Sequence, residues 1–275
     1  MTDRYAVVGN PVAHSLSPRI HTAFALETSQ AIEYTRMLAP LDAFKPALLK
    51  FRDDGGRGVN VTLPFKYQAW QFVDAHARGA LEASAVNTIH FHDGKSTGYN
   101  TDGVGLVTDL QKNLDFAIYG KRVLVMGAGG ASYGVMYPLL TARPQTLVVA
   151  NRTFEKAQGL VRHFERYKDL AREGISARRY GELAGTEFDL VINATSAGLT
   201  DQMPSLPDNI FARDALAYDM VYGKETPFMR FSAAHRIRTT DGLGMLVEQA
   251  AESFWLWRAV RPQTAPVIAA LRSHA

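Results

Sequence analysis

Apolar and polar positions follow two alternating rhythms along this chain. Compact apolar runs such as "RYAVVG", "IEYTRML" and "GVNVTL" are separated by stretches with helical spacing, "SPRIHTAFALETS" and "LDAFKPALLKF". A second series of runs follows: "KRVLVMG", "TLVVANR", "FDLVINATSAG" and "ALAYDMVYG". Each has an apolar core of about five residues ending in small or polar ones, as in strands buried on both faces whose C-terminal ends open into loops. The alternation predicts an α/β protein with mostly parallel sheets. Further helices are predicted for "KYQAWQFVDAHA", "YGVMYPLLTA", "FEKAQGLVRHFERY", "LVEQAAESFWLWRAV" and "APVIAALR". Lys66 opens the first of these, directly after "NVTLPF". Pro64 lacks an N–H and stops a strand there. Taken alone, Lys66 is a solvated lysine at a helix start.

The glycine-spaced passages "NTDGVG" (100–105) and "DGLGM" (241–245) lie where one core of ordinary size would be complete. They divide the chain into an N-terminal domain, residues 1–102, completed by residues 242–275, and a central domain, residues 103–241. Glycines at both crossings would permit hinge motion.

Composition narrows the function classes. Hydrophobic residues make up 47% and charged residues 21%, values of an ordinary globular chain. No apolar run reaches membrane length, and "RYAVVG" enters a strand without a leader, so a cytoplasmic protein is expected. The absence of cysteine excludes disulfides, thiolate metal sites and a cysteine nucleophile. A net charge of +3 is spread over many residues and suits a small anionic ligand better than a nucleic acid. His90 and His92 alternate before "DGK" with no third ligand spaced to join them, which predicts a hairpin surface and no metal site.

In "VLVMGAGGAS", Gly127, Ala128, Gly129, Gly130 and Ala131 lie between a predicted strand and a predicted helix. That context distinguishes a dinucleotide loop from a structural tight turn, since backbone N–H groups and the helix N-terminus can receive a pyrophosphate. The third small position is Ser132 instead of glycine. After the next strand, where an NAD site presents a carboxylate, the chain offers Asn151, Arg152 and Thr153, with Lys156 one turn later. Two cations beside a 2′-phosphate predict NADP. Thr153 also reads as the cap of the following helix.

Together, "GNPVAHSLSP", "NVTLPFK", "AVNT", "GYNTDGVG", "GAGGAS", "NRT", "NATSAG", "YDMVYG" and "DGLGMLVEQA" resemble the shikimate dehydrogenase family from end to end, in its order and approximate spacing. The resemblance implies a two-domain enzyme with an open cleft: an α/β substrate domain completed by the C-terminal helices and a central Rossmann-type NADP domain. It implies NADPH-dependent reduction of 3-dehydroshikimate to shikimate on the way to aromatic amino acids. Lys66 would serve as general acid and base, assisted by Asp102. Ser15 and Ser17 would hold the substrate carboxylate, Ser17 also capping the helix that Pro18 opens. His14 would orient that loop. Thr62, Asn87, Tyr222 and Gln249, with Lys66 and Asp102, match positions that bind the substrate, and neutral amides and hydroxyls suit a polyol. Ala194, Thr195, Ser196, Met220 and Gly242 would line the cofactor.

Four positions depart from the family's usual pattern: Arg78, Ser84, Tyr99 and Tyr133. A monomer or homodimer is expected, and a quinate/shikimate dehydrogenase of broader range is the near alternative. A non-catalytic NADP-binding sensor on the same fold is the alternative from another class, and the retained pair Lys66 and Asp102 argues against it. A methylene-tetrahydrofolate dehydrogenase would need motifs that this chain lacks. No nucleic acid or membrane partner is expected.

Overall fold

The computed structural model describes residues 2–195 and 202–273. The chain divides into two compact units, Met1–Gly105 together with Leu246–Ala275, and Leu106–Met245.

In chain order the first unit contains β1 (Asp3–Gly9), α1 (Ser17–Glu27), β2 (Ile32–Leu38), α2 (Phe44–Asp53), β3 (Gly56–Val61), α3 (Lys66–Phe72), β4 (Ala75–His76), α4 (Arg78–Ala83), β5 (Thr88–His92) and β6 (Lys95–Tyr99). Helix α5 (Asp102–Thr108) carries the chain onward. The six strands order as β2-β1-β3-β5-β6-β4. β1 pairs in parallel with β2 and β3, whereas β5 runs antiparallel to β3 and β6. β4 pairs in parallel with β6, so three of the five pairings are parallel, as expected, and β5 is the one strand that runs against its neighbours. The cause is local: Asp93 (φ 49°) and Gly94 (φ 72°) form a two-residue turn whose left-handed backbone matches strand twist and folds β5 back on β6. Ala6, Val8, Val59, Val61, Phe65 and Ile89 centre one core of this unit. Tyr5, Val7, Tyr34 and Trp257 centre another.

The second unit runs β7 (Arg122–Met126), α6 (Gly130–Thr141), β8 (Thr146–Ala150), α7 (Phe154–Phe164), β9 (Ile175–Arg178), β10 (Phe188–Asn193), β11 (Phe211–Asp219), α8 (Pro227–Ala234) and β12 (Arg238–Thr240). Helix α9 (Leu243–Arg258) returns the chain to the first unit, where α10 (Ala265–Arg272) follows. The sheet order is β12-β11-β10-β7-β8-β9, with every pairing parallel. Strand order reverses between β7 and β10, the switch point of a doubly wound sheet, where ligands bind beyond the carboxyl ends. Val123, Leu124, Val125 and Met126 are all fully buried, which is why β7 reads as an unbroken apolar run. Each such side chain contributes about 1.5–3 kcal/mol by leaving water.

Two local expectations are corrected. The helix predicted over "KYQAWQFVDAHA" ends at Phe72, Val73 is extended, and Ala75 and His76 pair with Thr97 and Gly98. Asp74 accepts from the Ser96 N–H and hydroxyl, both at 2.7 Å, and this tertiary edge overrides local helix preference. Three of the four crossing glycines are also not loop residues: Gly103 and Gly105 lie within α5 and Gly244 within α9, while Gly242 sits in the turn just before α9. A Cβ on Gly244 would collide with the Asp109 carboxylate, so close packing accounts for that glycine.

Candidate active site

Lys66 is the first residue of α3, and the preceding Phe65 is fully buried, stacked on Phe44 at 4.7 Å. That anchor fixes the turn and leaves the lysine chain at its rim. Nζ donates to Asp102 Oδ2 at 2.6 Å, with 26% of the lysine side chain and 11% of the aspartate exposed. Such an ion pair is only partly screened by water. The other carboxylate oxygen, Oδ1, accepts from Asn87 Nδ2 at 2.9 Å. The amide orientation of Asn87 is fixed by the Thr101 backbone N–H, which can only donate and reaches Oδ1 at 2.8 Å. Asn87 Nδ2 also donates to Gln249 Oε1 at 3.3 Å. Lys66, Asp102, Asn87 and Gln249 thus form one hydrogen-bonded group, drawn from α3, α5, the residue before β5, and α9.

Thr62 follows β3, where its methyl lies against Gly9 so closely that a Cβ there would collide with it. In the loop after β1, the Ser15 hydroxyl donates to Ser17 Oγ at 3.2 Å and accepts from the Ser17 N–H at 3.3 Å. Ser17 is therefore the first helical residue, not the cap: Leu16 holds that position without a side-chain bond, and the hydroxyl facing the helix start is that of Ser15. Pro18 accordingly sits one residue further into the helix. His14 is exposed and makes no described hydrogen bond. The loop is held instead by Arg36 on β2, whose Nε and Nη2 donate to the Ser15 carbonyl at 3.1 and 2.7 Å. Arg36 shows no sequence signal beyond being a charge in a strand.

In the central unit, β7 ends into Gly127 at φ +103°, a conformation that side chains rarely adopt. A Cβ at Gly129 or Gly130 would meet nothing, so the backbone at the start of α6 stands clear for a ligand. Ser132 is fully buried and donates to the Gly127 carbonyl at 2.9 Å, which closes the loop without a third glycine. Open N–H groups, a 12-residue helix and the switch point together fit a pyrophosphate. Ala128 and Ala131 are partly buried against the core.

Asn151, Arg152 and Thr153 follow β8, and Asn151 Nδ2 donates to the Thr153 carbonyl at 2.8 Å. Thr153 occupies the cap of α7 but makes no side-chain capping bond. Arg152 and Lys156 are exposed. Burial pushes the Tyr180 phenol up to about 12, with the nearby Arg152 guanidinium opposing the shift. The donor set at this strand end is cationic, as a 2′-phosphate requires.

Ala194 and Thr195 follow β10, where the Thr195 N–H and hydroxyl both donate to Asn193 Oδ1. Ser196 lies outside the described residues. Asp219, fully buried at the end of β11, accepts from Asn193 Nδ2 at 3.0 Å, Thr226 Oγ1 at 2.5 Å and the Val221 N–H at 2.9 Å. One carboxylate therefore braces both the Thr195 loop and the loop bearing Met220 and Tyr222. A Cβ on Gly242 would collide with the Met220 carbonyl. Burial raises the Tyr222 phenol, which keeps it a neutral donor. Asp219 was visible in "YDMVYG" only as a strand-end residue.

Of the four departures from the family pattern, Ser84 is the one with a backbone consequence: it adopts φ 48° at the end of α4. Tyr133 packs edge-on against His163 at 5.4 Å. Arg78 opens α4 and Tyr99 closes β6. Two surface cavities, of about 400 and 320 Å³, contain none of the expected site residues. Among the described residues no cluster of His, Asp or Glu could hold a metal ion, and no helix is long and apolar enough to cross a membrane.

A parallel doubly wound sheet with a glycine loop at its switch point, followed by a cationic second strand end, defines an NADP-type dinucleotide oxidoreductase. Family models match in three blocks: "Shikimate dehydrogenase substrate binding domain" at residues 7–89, "Shikimate / quinate 5-dehydrogenase" at 109–200, and "Shikimate 5'-dehydrogenase C-terminal domain" at 242–272. The chain is 53% identical over 272 residues to shikimate dehydrogenase (NADP(+)) of Methylobacillus flagellatus, covering 98% of this chain and 99% of that one. It is 54% identical to the Alkalilimnicola ehrlichii protein of the same name, covering 99% of each. Among solved structures, an Ael1 enzyme from Pseudomonas putida aligns with a TM-score of 0.93 at 44% identity, covering 98% of both chains. Shikimate 5-dehydrogenase from Thermus thermophilus, in complex with NADP(H) and shikimate, aligns at 0.88 and 33%, covering 100% of both. The chain belongs to the shikimate dehydrogenase family.

Proposed function

We propose that this protein interconverts 3-dehydroshikimate and shikimate with NADP(H), in a cytoplasmic route to aromatic amino acids. The observation that carries the reading is the group Lys66, Asp102, Asn87 and Gln249, in which a lysine is aimed by a carboxylate that an amide holds from its other oxygen. The relatives bearing the shikimate dehydrogenase name support it along the whole chain.

NADP(H), when bound, supplies or accepts the hydride. Gly127, Ala128, Gly129, Gly130 and Ala131 would hold its pyrophosphate, and Asn151, Arg152, Thr153 and Lys156 its 2′-phosphate. Thr195, Met220 and Gly242 would approach the remainder. The Lys66 ammonium donates a proton to the substrate carbonyl oxygen during reduction, and its neutral amine takes that proton back in the oxidative direction. Asp102 orients Lys66 and accepts from a ring hydroxyl. Asn87, Gln249, Thr62 and Tyr222 read the remaining hydroxyls, each able to donate and accept without adding charge. The Ser15 and Ser17 hydroxyls receive the carboxylate at the start of α1, where the helix dipole favours an anion.

The test is the initial rate of nicotinamide absorbance change with shikimate or quinate crossed with NADP⁺ or NAD⁺. Rapid turnover confined to shikimate with NADP⁺ is expected. Comparable rates with quinate or NAD⁺ would move the protein to a broader quinate/shikimate dehydrogenase, and NADP⁺ binding without turnover would make it a sensor.

A further inference from the structure

Helix α9 presents Gln249, Ser253 and Trp257 at four-residue spacing, so all three lie on one face. Each makes a polar contact with a consecutive residue at the start of β5. Gln249 Oε1 accepts from Asn87 Nδ2 at 3.3 Å, Ser253 Oγ lies 2.8 Å from Thr88 Oγ1, and Trp257 Nε1 donates to the Ile89 carbonyl at 3.1 Å. The helix is thus held in register against the strand by three rungs. The outer rung is packing, since Trp257 is buried and stacks on Tyr5 at 4.6 Å. The inner rung belongs to the group proposed to meet substrate. Ser253, between them, is completely buried.

Ser253 Oγ is a junction. It can donate to the Gln249 carbonyl, 3.0 Å away, and accepts from Asn60 Nδ2 at 2.9 Å. Asn60 Nδ2 also reaches Thr88 Oγ1 at 3.0 Å, while Asn60 Oδ1 accepts from the Tyr34 phenol at 2.7 Å. Thr88 Oγ1 can donate to Asn87 Oδ1 at 3.0 Å. Two proton arrangements satisfy these atoms. In one, Ser253 donates to the Gln249 carbonyl and Thr88 to Ser253. In the other, Ser253 donates to Thr88 and Thr88 to Asn87. In both, the Thr101 N–H stays on Asn87 Oδ1, so Asn87 Nδ2 stays turned to Asp102. Every route from Asn60 or Tyr34 to the Asn87 and Gln249 amides runs through Ser253 or Thr88, apart from one long contact of 3.4 Å from Asn60 Nδ2 to the Asn87 carbonyl.

We propose that Ser253 is a positioning residue for the reaction, setting the distance between the Asn87 and Gln249 amides by tying α9 to Thr88 and Asn60. It touches neither substrate nor cofactor and acts through those amides. The inference rests on the proposed reading of the site, because it matters only if the two amides bind the substrate. Removing the hydroxyl leaves Asn60 Nδ2 one acceptor short and frees the rung beside Gln249, a cost that falls on substrate geometry more than on the fold.

The test compares the full-length protein with S253A, T88V and T88S in steady-state assays of shikimate oxidation, together with thermal unfolding. Expected is a rise of roughly fivefold in the shikimate KM for S253A, the effect of one buried hydrogen bond. The NADP⁺ KM should stay within twofold and T88V should reproduce the effect, while T88S, which keeps the hydroxyl, stays near the parent. The double variant S253A/T88V should lose less than the sum of the two, as coupled neighbours do. A shikimate KM unchanged in S253A, or a lowered Tm without any KM change, overturns the inference. If the parent protein itself failed to turn over shikimate, the functional reading would fall first and this inference with it.

Discussion

Lys66 and Asp102 are each the first residue of their helix, and the lysine Nζ lies 2.6 Å from the aspartate Oδ2. An aspartate is favoured by the dipole at a helix N-terminus, and a lysine is opposed by it. The lysine is therefore placed against local preference, with Asp102 supplying the compensating charge. Misfits of this kind mark positions kept for chemistry.

Lys66→Ala should lower the rate of shikimate oxidation by about 10²–10⁴-fold, the usual contribution of a positioned proton-transfer group. NADP⁺ affinity, read by calorimetry, should be unchanged, because the glycine loop and Arg152 belong to the other unit. A turnover close to that of the parent would remove Lys66 from the mechanism.

Arg152→Ala should raise the NADP⁺ KM by roughly tenfold to a hundredfold, the worth of charge-assisted hydrogen bonds to a phosphate. The NAD⁺ KM should hardly move, since that cofactor lacks the phosphate. An equal rise for both cofactors would place the arginine elsewhere in the site.

His21 predicts an acid sensitivity in the first unit. Its ring is fully buried, stacked on Tyr34 at 4.1 Å, and burial pushes its pKa from 6.5 down to about 3, with the Asn60 side chain opposing the shift. The unfolded chain then binds one more proton than the folded one between those values. Its contribution is complete above pH 6.5 and is lost as pH falls toward 3, at about 1.4 kcal/mol per pH unit. Urea unfolding at stepped pH should show a loss of stability on acidification that is smaller in His21→Phe by this amount, since Asp3, Asp74 and Asp189, whose carboxyls are held low by their partners, contribute to the remainder in both proteins. His90, also lowered by desolvation but only half buried, remains in both proteins and cancels in the comparison.

Ser84→Gly should stabilise the protein by up to about 1 kcal/mol, because φ 48° costs a residue with a Cβ what glycine avoids. The check is the denaturant midpoint at constant slope. A lower midpoint would mean that the serine side chain contributes more than its backbone costs.

The strands of the central unit were legible because they are buried on both faces, so β7 and β8 appear as uninterrupted apolar runs and β10 as a shorter one, Leu190 to Ile192, after Asp189. The glycine loop was legible for a related reason: a backbone at φ +103° beside a helix start leaves few residue choices at Gly127. Less visible was the end of α3, because the bond from Ser96 to Asp74 that opens it joins residues 22 apart in sequence. The serine loop went the same way. Its cap geometry depends on Ser15 and its anchor on Arg36, and neither the spacing nor the propensity of "AHSLSP" encodes a partner on another strand. Asp219 and Ser253 were missed because a buried polar residue shows its importance only through partners that sequence does not place beside it.

Because residues 246–275 belong to the first unit while 106–245 form the second, the order of synthesis differs from the order of completion. As the chain leaves the ribosome, the central sheet has all of its strands before α9 has emerged, and it can close on its own residues. The first unit can bury the core around Val8, Val61 and Ile89 from residues already made, but the cluster of Tyr5, Val7 and Tyr34 must wait for Trp257. The polar junction around Asn60 is among the last interactions available to a newborn molecule, so a chain truncated after residue 245 would carry every strand of the central sheet yet leave Asn60, Thr88 and Ile89 without their partners on α9.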